Sequence, residues 1–448
     1  MSEHPLKHVL APRSIAVVGA SNNPQKTGYF YMEKLLQAGY KGQIYPVHPQ
    51  QSEILGLPAY PNLAAVPGEV DLAYVVVPGE AVIQVMRDCI AKGSKAALVV
   101  SAGFSEVADE EGKRRAQELQ ELLDAGRGTR VIGPNCMGLY NAALGLTFHD
   151  APIKEGKIGV IAQSGSITVD IIKSGVYHNL GFSVGVSSGN EMDLNLCDYL
   201  EYFAADPATG IIAAYVEGIK EGQRFVRLAG EITPKKPIVI WKGGRTEAGA
   251  RAASSHTGSL AGERRIYSAA FRQAGVVPAT GLPELTAFLQ AFSMLERPAG
   301  NGVCIVTGPG GPGVAISDAC NEAGLSVPAL GEATRQSLSR LLPSFAGTRN
   351  PIDITMASLA DSTLLGQCAE IAAADPAVDA ILAVVGPGEH EGLIEARGKI
   401  GKPLLAYDRS PAGLVEQNEM LEEAGVPVFN DVVYAARAIA ALLGKVYL

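Results

Sequence analysis

Short uninterrupted apolar runs alternate with longer amphipathic stretches through the first 148 residues. Ser14–Gly19, Gln43–Val47, Leu72–Val77, Ala96–Ser101 and Arg130–Gly133 read as strands, with helical stretches near 29–39, 80–92 and 108–126 between them. Strands that are apolar on both faces and joined by helices predict a parallel sheet covered on its two sides. The first strand ends in Val18-Gly19-Ala20-Ser21 and runs through a loop to Gly28, where a helix opens. By position this is a dinucleotide-fold phosphate loop, in which backbone amides and a helix N-terminus meet an anion. The GxGxxG spacing is missing, however, and the second strand ends in Val47-His48-Pro49 where an NAD site needs an acidic residue for the ribose hydroxyls. An NAD-dependent enzyme is therefore disfavoured. The loop stays open between an anion cradle with Lys26 at its rim and a plain tight turn.

The remaining 300 or so residues repeat themselves. The run from Lys157 through Gln163-Ser164-Gly165-Ser166 parallels the run from Gly302 through Gly310-Gly311-Pro312-Gly313, and a helix follows each. Ala204-Ala205-Asp206-Pro207 parallels Ala373-Ala374-Asp375-Pro376, and the strand from Lys236 to Trp241 parallels the one from Lys402 to Tyr407. The chain therefore reads as α/β throughout: a Rossmann-like domain over 1–150, then two flavodoxin-like domains over 151–298 and 299–448. The boundaries fall in loop-like stretches near Ala151-Pro152 and Arg297–Asn301.

Composition narrows the function. A formal charge of -9 without basic clusters argues against nucleic acid or a membrane surface as partner. Six cysteines without CxxC or metal-ligand spacing read as reduced and structural, so no metal of its own is expected. The first dozen residues hold no secretory apolar core, and the apolar runs are of strand length. A soluble, cytoplasmic chain is expected.

The candidate chemistry lies in the run from Gly243 to Gly262. There, one of only seven histidines, His256, sits among small residues and glycines, with Arg245 and Arg251 nearby. An imidazole on a small-residue loop beside guanidinium groups suits a nucleophile that accepts and carries a phosphoryl group. The other reading is a glycine-rich surface loop with a solvated histidine. Both Gln163–Ser166 and Gly310–Gly313 put side-chain-poor loops at helix starts. Two such ends present free amides and about half a positive charge each, enough to stabilise a phosphate without metal; the alternative is two ordinary βα turns. Glu217 ends a strand, where α/β proteins place functional groups. It is either a carboxylate that orients the His256 ring or an exposed strand-end residue. Asp353 is a weaker candidate, or a turn cap.

Taken together, these residues resemble the α subunit of the nucleotide-diphosphate-forming acyl-CoA synthetases, the ADP-forming acetate–CoA ligase family related to succinyl-CoA synthetase. The stretch from Gly244 to Gly262 is similar to the family's phosphohistidine loop almost residue for residue. The resemblance makes the first domain CoA-binding, with Gly19, Ala20, Ser21, Lys26, Val47, Pro78, Ser101, Ala102, Gly103 and Asn135 around the cofactor. It makes Gln163, Ser164, Gly165, Ser166, Gly310, Gly311 and Gly313 the phosphate-binding helix starts, with His256 and Glu217 catalytic. It implies the reaction acyl-CoA + ADP + phosphate ⇌ carboxylic acid + CoA + ATP through an acyl phosphate and a phosphohistidine. Departures are few: Val47-His48-Pro49-Gln50 stands where relatives often have Val-Asn-Pro-Lys, which leaves the adenosine-end contacts in doubt, and Ala162 stands where they commonly have Ser.

Three α/β domains leave no room for an ATP-grasp region. The resemblance then implies a separate ATP-grasp β subunit binding ADP/ATP and Mg2+, in an α2β2 assembly acting on a small carboxylic acid and its acyl-CoA. The alternative of another class is a CoA-binding regulatory or scaffold protein of the same fold without turnover. The acyl group, the choice between ADP and GDP, and the physiological direction are not legible.

Overall fold

The computed structural model describes residues 4–446 apart from 108, 126–127, 149, 151, 250, 252–263 and 411–414. The chain forms two compact units, Met1–Val176 with Gly181–Ala279, and Tyr177–Leu180 with Thr280–Leu448.

The first unit contains two large sheets. In the first, β1 (Ser14–Val18), β2 (Gln43–Val47), β3 (Leu72–Val75), β4 (Ala96–Val99) and β5 (Arg130–Ile132) are all parallel, in the order β2-β1-β3-β4-β5. β1, β3 and β4 are buried at every position, as strands covered on both faces must be. The helices α1 (Thr27–Gln37), α2 (Gly79–Lys92) and α3 (Glu110–Asp124) join them. Local chemistry sets their ends. Gly93 closes α2 at φ 75°, its N–H bonded back to Cys89 and Ile90, while Asp109 caps α3 by accepting from the Gly112 amide at 2.6 Å. That cap is why the helix starts at 110 rather than at 108. β3 likewise stops short of the predicted Val77, and Val76 and Val77 line a cavity beyond its end.

The second sheet has the order β11-β10-β9-β7-β8-β6. Its parallel strands are β7 (Glu155–Ala162), β8 (Phe182–Ser187), β9 (Ile211–Val216), β10 (Ile238–Lys242) and β11 (Val277–Ala279). β6 (Leu139–Asn141) adds an antiparallel edge. The helices are α4 (Gly165–Tyr177), α5 (Leu196–Ala205), α6 (Gly222–Ile232) and α7 (Arg264–Ala274). The turn after β8 joins the two sheets: Asp193 takes the Arg130 guanidinium at 2.8 Å and the Val131 amide at 2.7 Å, and Met192 N–H reaches Gly133 O at 3.0 Å.

In the second unit, a five-stranded parallel sheet runs β13-β12-β14-β15-β16. Its strands are β12 (Val303–Thr307), β13 (Ile352–Asp353), β14 (Ala380–Val385), β15 (Leu404–Asp408) and β16 (Val428–Phe429). Among its helices are α8 (Leu282–Met294), α9 (Gly310–Glu322) and, at the far end of the chain, a helix over Val432–Leu442 capped by Asp431. Among the described residues no helix is long and apolar enough to cross a membrane.

Candidate active site

The strand order of the first sheet reverses at β1 and β3, and ligands of open α/β sheets bind beyond the strand ends at such a point. A cavity of about 680 Å³ lies there. Gly19, Ala20, Ser21, Lys26, Pro78, Ser101 and Ala102 all line it, together with Gly28, His48 and Pro49. Gly19 has φ 95° and its absent Cβ would stand 2.7 Å from Val76 O. A Cβ at Gly28 would overlap the Gly19 carbonyl, so the start of α1 lies directly on the strand end. Lys26, the N-cap of α1, makes no side-chain capping bond, and Thr27 and Gly28 at the helix start line the cavity. Three residues expected at the cofactor stand back from this wall. Val47 is buried, its carbonyl accepting from Gly19 N–H at 3.1 Å. The Gly103 amide is held by the Glu106 carboxylate, and Asn135, at φ 57°, donates its N–H to Ser101 O at 3.0 Å.

The second sheet builds a different structure around Glu217. This residue follows β9 and is 5% exposed, which removes the reading of a solvated strand-end carboxylate. Tyr215 donates its hydroxyl to Glu217 Oε1 at 3.2 Å. Burial and the neighbouring Glu217 carboxylate raise the Tyr215 phenol, which keeps it protonated and donating. Gln163 is turned inward from its helix start. Its Oε1 accepts from the amides of Glu217 and Gly218, at 2.5 and 3.1 Å. Its Nε2 donates to Gly218 O at 2.8 Å and to Glu191 Oε2 at 3.0 Å. The Gln163 side chain thus frames the Glu217 turn. Ser164 and Ser166 stay at the surface with their hydroxyls 3.2 Å apart. A Cβ on Gly165 would overlap Met137, so glycine lets the loop carrying Asn135 seat against α4.

Lys242, the last residue of β10, is 3% exposed. Its ammonium donates to Glu217 O at 2.8 Å and to Gly243 O, and lies 4.6 Å from the centre of the Tyr267 ring. Burial lowers its pKa, against the opposing pull of Glu217. The base of the loop that leads towards His256 is thereby tied to the Glu217 turn. His256 itself lies outside the described residues, while Arg251, at the loop's near end, pairs with Glu247 at 2.8 Å.

In the second unit, Gly308, Pro309, Gly310, Asp353, Thr355, Met356, Glu389 and Arg409 surround a cavity of about 470 Å³. It lies at the strand ends of β12 and β14, again a point of reversal. Among the described residues no side chain caps α9, whose N-cap is Pro309. Gly311 and Gly313 stand off the cavity, and Gly313 packs against Thr307 and Pro351. Asp353 caps its turn by accepting from Thr355 N–H at 2.9 Å, and it also faces the cavity.

Comparison with known proteins bears directly on this arrangement. Residues 13–142 match the family described as CoA binding domain, 155–292 the succinyl-CoA ligase like flavodoxin domain, and 303–386 the ligase-CoA domain. The α subunit of acetate–CoA ligase [ADP-forming] II from Pyrococcus furiosus is 40% identical, over 97% of this chain and 97% of that one. The chain belongs to the ADP-forming acetate–CoA ligase family. It is also 36% identical to acetate–CoA ligase [ADP-forming] I of Archaeoglobus fulgidus, over 98% of its own length but 63% of that longer protein. A solved family member is the dinucleotide-forming acetyl-coenzyme A synthetase 1 of Ca. Korarchaeum cryptofilum, in complex with phosphate and ADP. It matches at 34% identity and a TM-score of 0.90, over 98% of this chain and 96% of that one.

Within this ADP-forming acetate–CoA ligase fold, one functional candidate escaped sequence reasoning. Glu191, in the turn after β8, is 2% exposed at φ 54°. Burial pushes its carboxyl up to about 7 against the hydrogen bonds of Ser188 and Gln163 and the charge of Lys220. Its only local signal is an acid in a strand-end loop, Ser188-Gly189-Asn190-Glu191.

Proposed function

We propose that the chain is the α subunit of an ADP-forming acyl-CoA synthetase that converts acyl-CoA, ADP and phosphate to a carboxylic acid, CoA and ATP. The observation that carries this reading is the Glu217 turn: a buried strand-end carboxylate tied through Lys242 to the first residue of the His256 loop. CoA binds with its diphosphate against the Gly19–Lys26 loop and the start of α1. A phosphate oxygen attacks the thioester carbonyl, the C–S bond breaks, and the CoA thiolate leaves with an acyl phosphate formed. An imidazole nitrogen of His256 then attacks phosphorus, the bond to the acyl oxygen breaks, and the carboxylate departs. Glu217 accepts from the other ring N–H and so holds the attacking tautomer. The amide-rich start of α4 stabilises the phosphoryl charge. ADP finally takes the phosphoryl group from His256.

The nucleotide, with its Mg2+, binds a separate ATP-grasp β subunit in an α2β2 assembly. Supporting this, the chain and a relative named as a subunit match over 97% of each, whereas the chain covers only 63% of a longer family member. The division into working segments at 1–150, 151–298 and 299–448 belongs to the same proposal.

The test is incubation of the complex, purified from its native cells, with radiolabelled ATP. Label that is acid-labile, alkali-stable and lost in His256→Ala is the expected result. A competent complex that takes no label would instead leave a CoA-binding protein without turnover.

A further inference from the structure

A buried carboxylate that the mechanism above does not use stands behind the Glu217 turn. Glu191 accepts from Ser188 Oγ at 2.8 Å and from Gln163 Nε2 at 3.0 Å. Its own turn is rigidly held: Lys220 Nζ donates to Glu191 O at 2.7 Å and to Asn190 O at 3.0 Å, and Asn190 Nδ2 donates to the Glu106 carboxylate. Filling this space with a neutral side chain costs less than burying a carboxylate. What the charge adds is a strong acceptor for one N–H of the Gln163 amide. That bond, with the one to Gly218 O, fixes which way the amide faces. The opposite end, Oε1, then meets the Glu217 and Gly218 amides.

We infer that Glu191 is a positioning residue for the phosphoryl-transfer step, acting through the Gln163 amide to fix the Glu217 turn. The inference rests on the reading of Glu217 as the partner of His256. The ionised form of Glu191 is the working one. Lys220 faces it from the turn after β9, and Cys197 and Tyr199 lie within its field from α5.

The experiment follows initial phosphorylation of His256 by radiolabelled ATP in the native complex, from about pH 6 to about pH 8.5, with CoA affinity measured alongside. Glu191→Gln is expected to slow phosphorylation roughly tenfold above neutral pH, the effect of losing one charge-assisted hydrogen bond. CoA affinity stays within about twofold of wild type. The wild-type rate rises through about pH 7 with a component that Glu191→Gln lacks. Adding Glu191→Gln to Glu217→Gln brings no further loss, because the first acts through the second. Should Glu191→Gln not fold, Glu191→Asp keeps the charge but withdraws it from Gln163, and an intermediate loss is expected. Unaltered phosphorylation in either variant, or losses that multiply in the double variant, overturns the inference while leaving the phosphohistidine in place. A wild-type complex that takes no label at all overturns the parent reading, and this one with it.

Discussion

The ammonium of Lys242 donates to the backbone carbonyl of Glu217 at 2.8 Å and forks to the carbonyl of Gly243, joining the end of β10 to the turn after β9. Replacing it with a neutral side chain of similar length leaves two inward-facing carbonyls without their donor. Lys242→Met is predicted to loosen the turn by about 2–3 kcal/mol, the cost of orphaned acceptors. Hydrogen–deuterium exchange over 215–219 should quicken by roughly 30- to 150-fold on that ground. Exchange unchanged there means that the ammonium is not what holds the turn.

At the first glycine loop the constraint is steric. A Cβ on Gly28 runs into the Gly19 carbonyl, which is backbone and cannot rotate away. Gly28→Ala must push α1 off the end of β1, an overpacking cost of about 1–3 kcal/mol. Because the same displacement opens the wall of the 680 Å³ cavity, CoA binding should weaken by tenfold or more in calorimetric titration. Retained CoA affinity would falsify the placement of the cofactor's diphosphate against this helix start. A control is Gly39→Ala, where a Cβ meets nothing within 4 Å and only its φ of 66° is strained.

Both glycine loops and the strand ends could be read along the chain because they depend on short-range pattern. A run of apolar residues, a glycine and a helix start specify one βα turn, and seven of the expected cofactor residues line a single cavity there. The inward turn of Gln163 could not be read the same way. Its amide answers to Glu191 and Gly218, respectively 28 and 55 residues further along the chain. Glu191 is hidden in the sequence for the same reason, since its burial depends on partners such as Gln163 that lie far along the chain. Val47, Gly103 and Asn135 lie outside the cavity lining, and their polar backbone groups are engaged by Gly19 N–H, the Glu106 carboxylate and Ser101 O, partners that no local pattern announces.

The thiols give a prediction of a different kind. All six cysteines are buried and unpaired with one another, and burial raises each thiol; for Cys89, Cys197, Cys320 and Cys368 it pushes the pKa up to about 12. A thiol both inaccessible and protonated does not attack a disulfide reagent. The native chain should therefore give no prompt colour with an aromatic disulfide at pH 8, and six equivalents after denaturation. A fast-reacting thiol in the native state would show that one of these sites opens.

Glu191 links stability to the same ionisation that its positioning role requires. In the unfolded chain its carboxyl titrates near 4.5, and in the folded chain at about 7. Between those values the folded state holds a proton that the unfolded state has released, so stability falls as pH rises across that window and levels off above it. The difference amounts to roughly 3 kcal/mol at full extent, since a tenfold change in proton affinity is worth about 1.4 kcal/mol. Glu191→Gln cannot titrate and escapes the loss. Its stability relative to wild type should therefore climb by about 2 kcal/mol between pH 5 and pH 7.5, read from paired urea unfolding curves. A gap that stays flat across this range would mean that the carboxyl is not held in a dry site. A climbing gap beside slowed phosphorylation would show the ionised residue destabilising the fold while it orients the Glu217 turn, a conflict expected where a site is built for function rather than for stability.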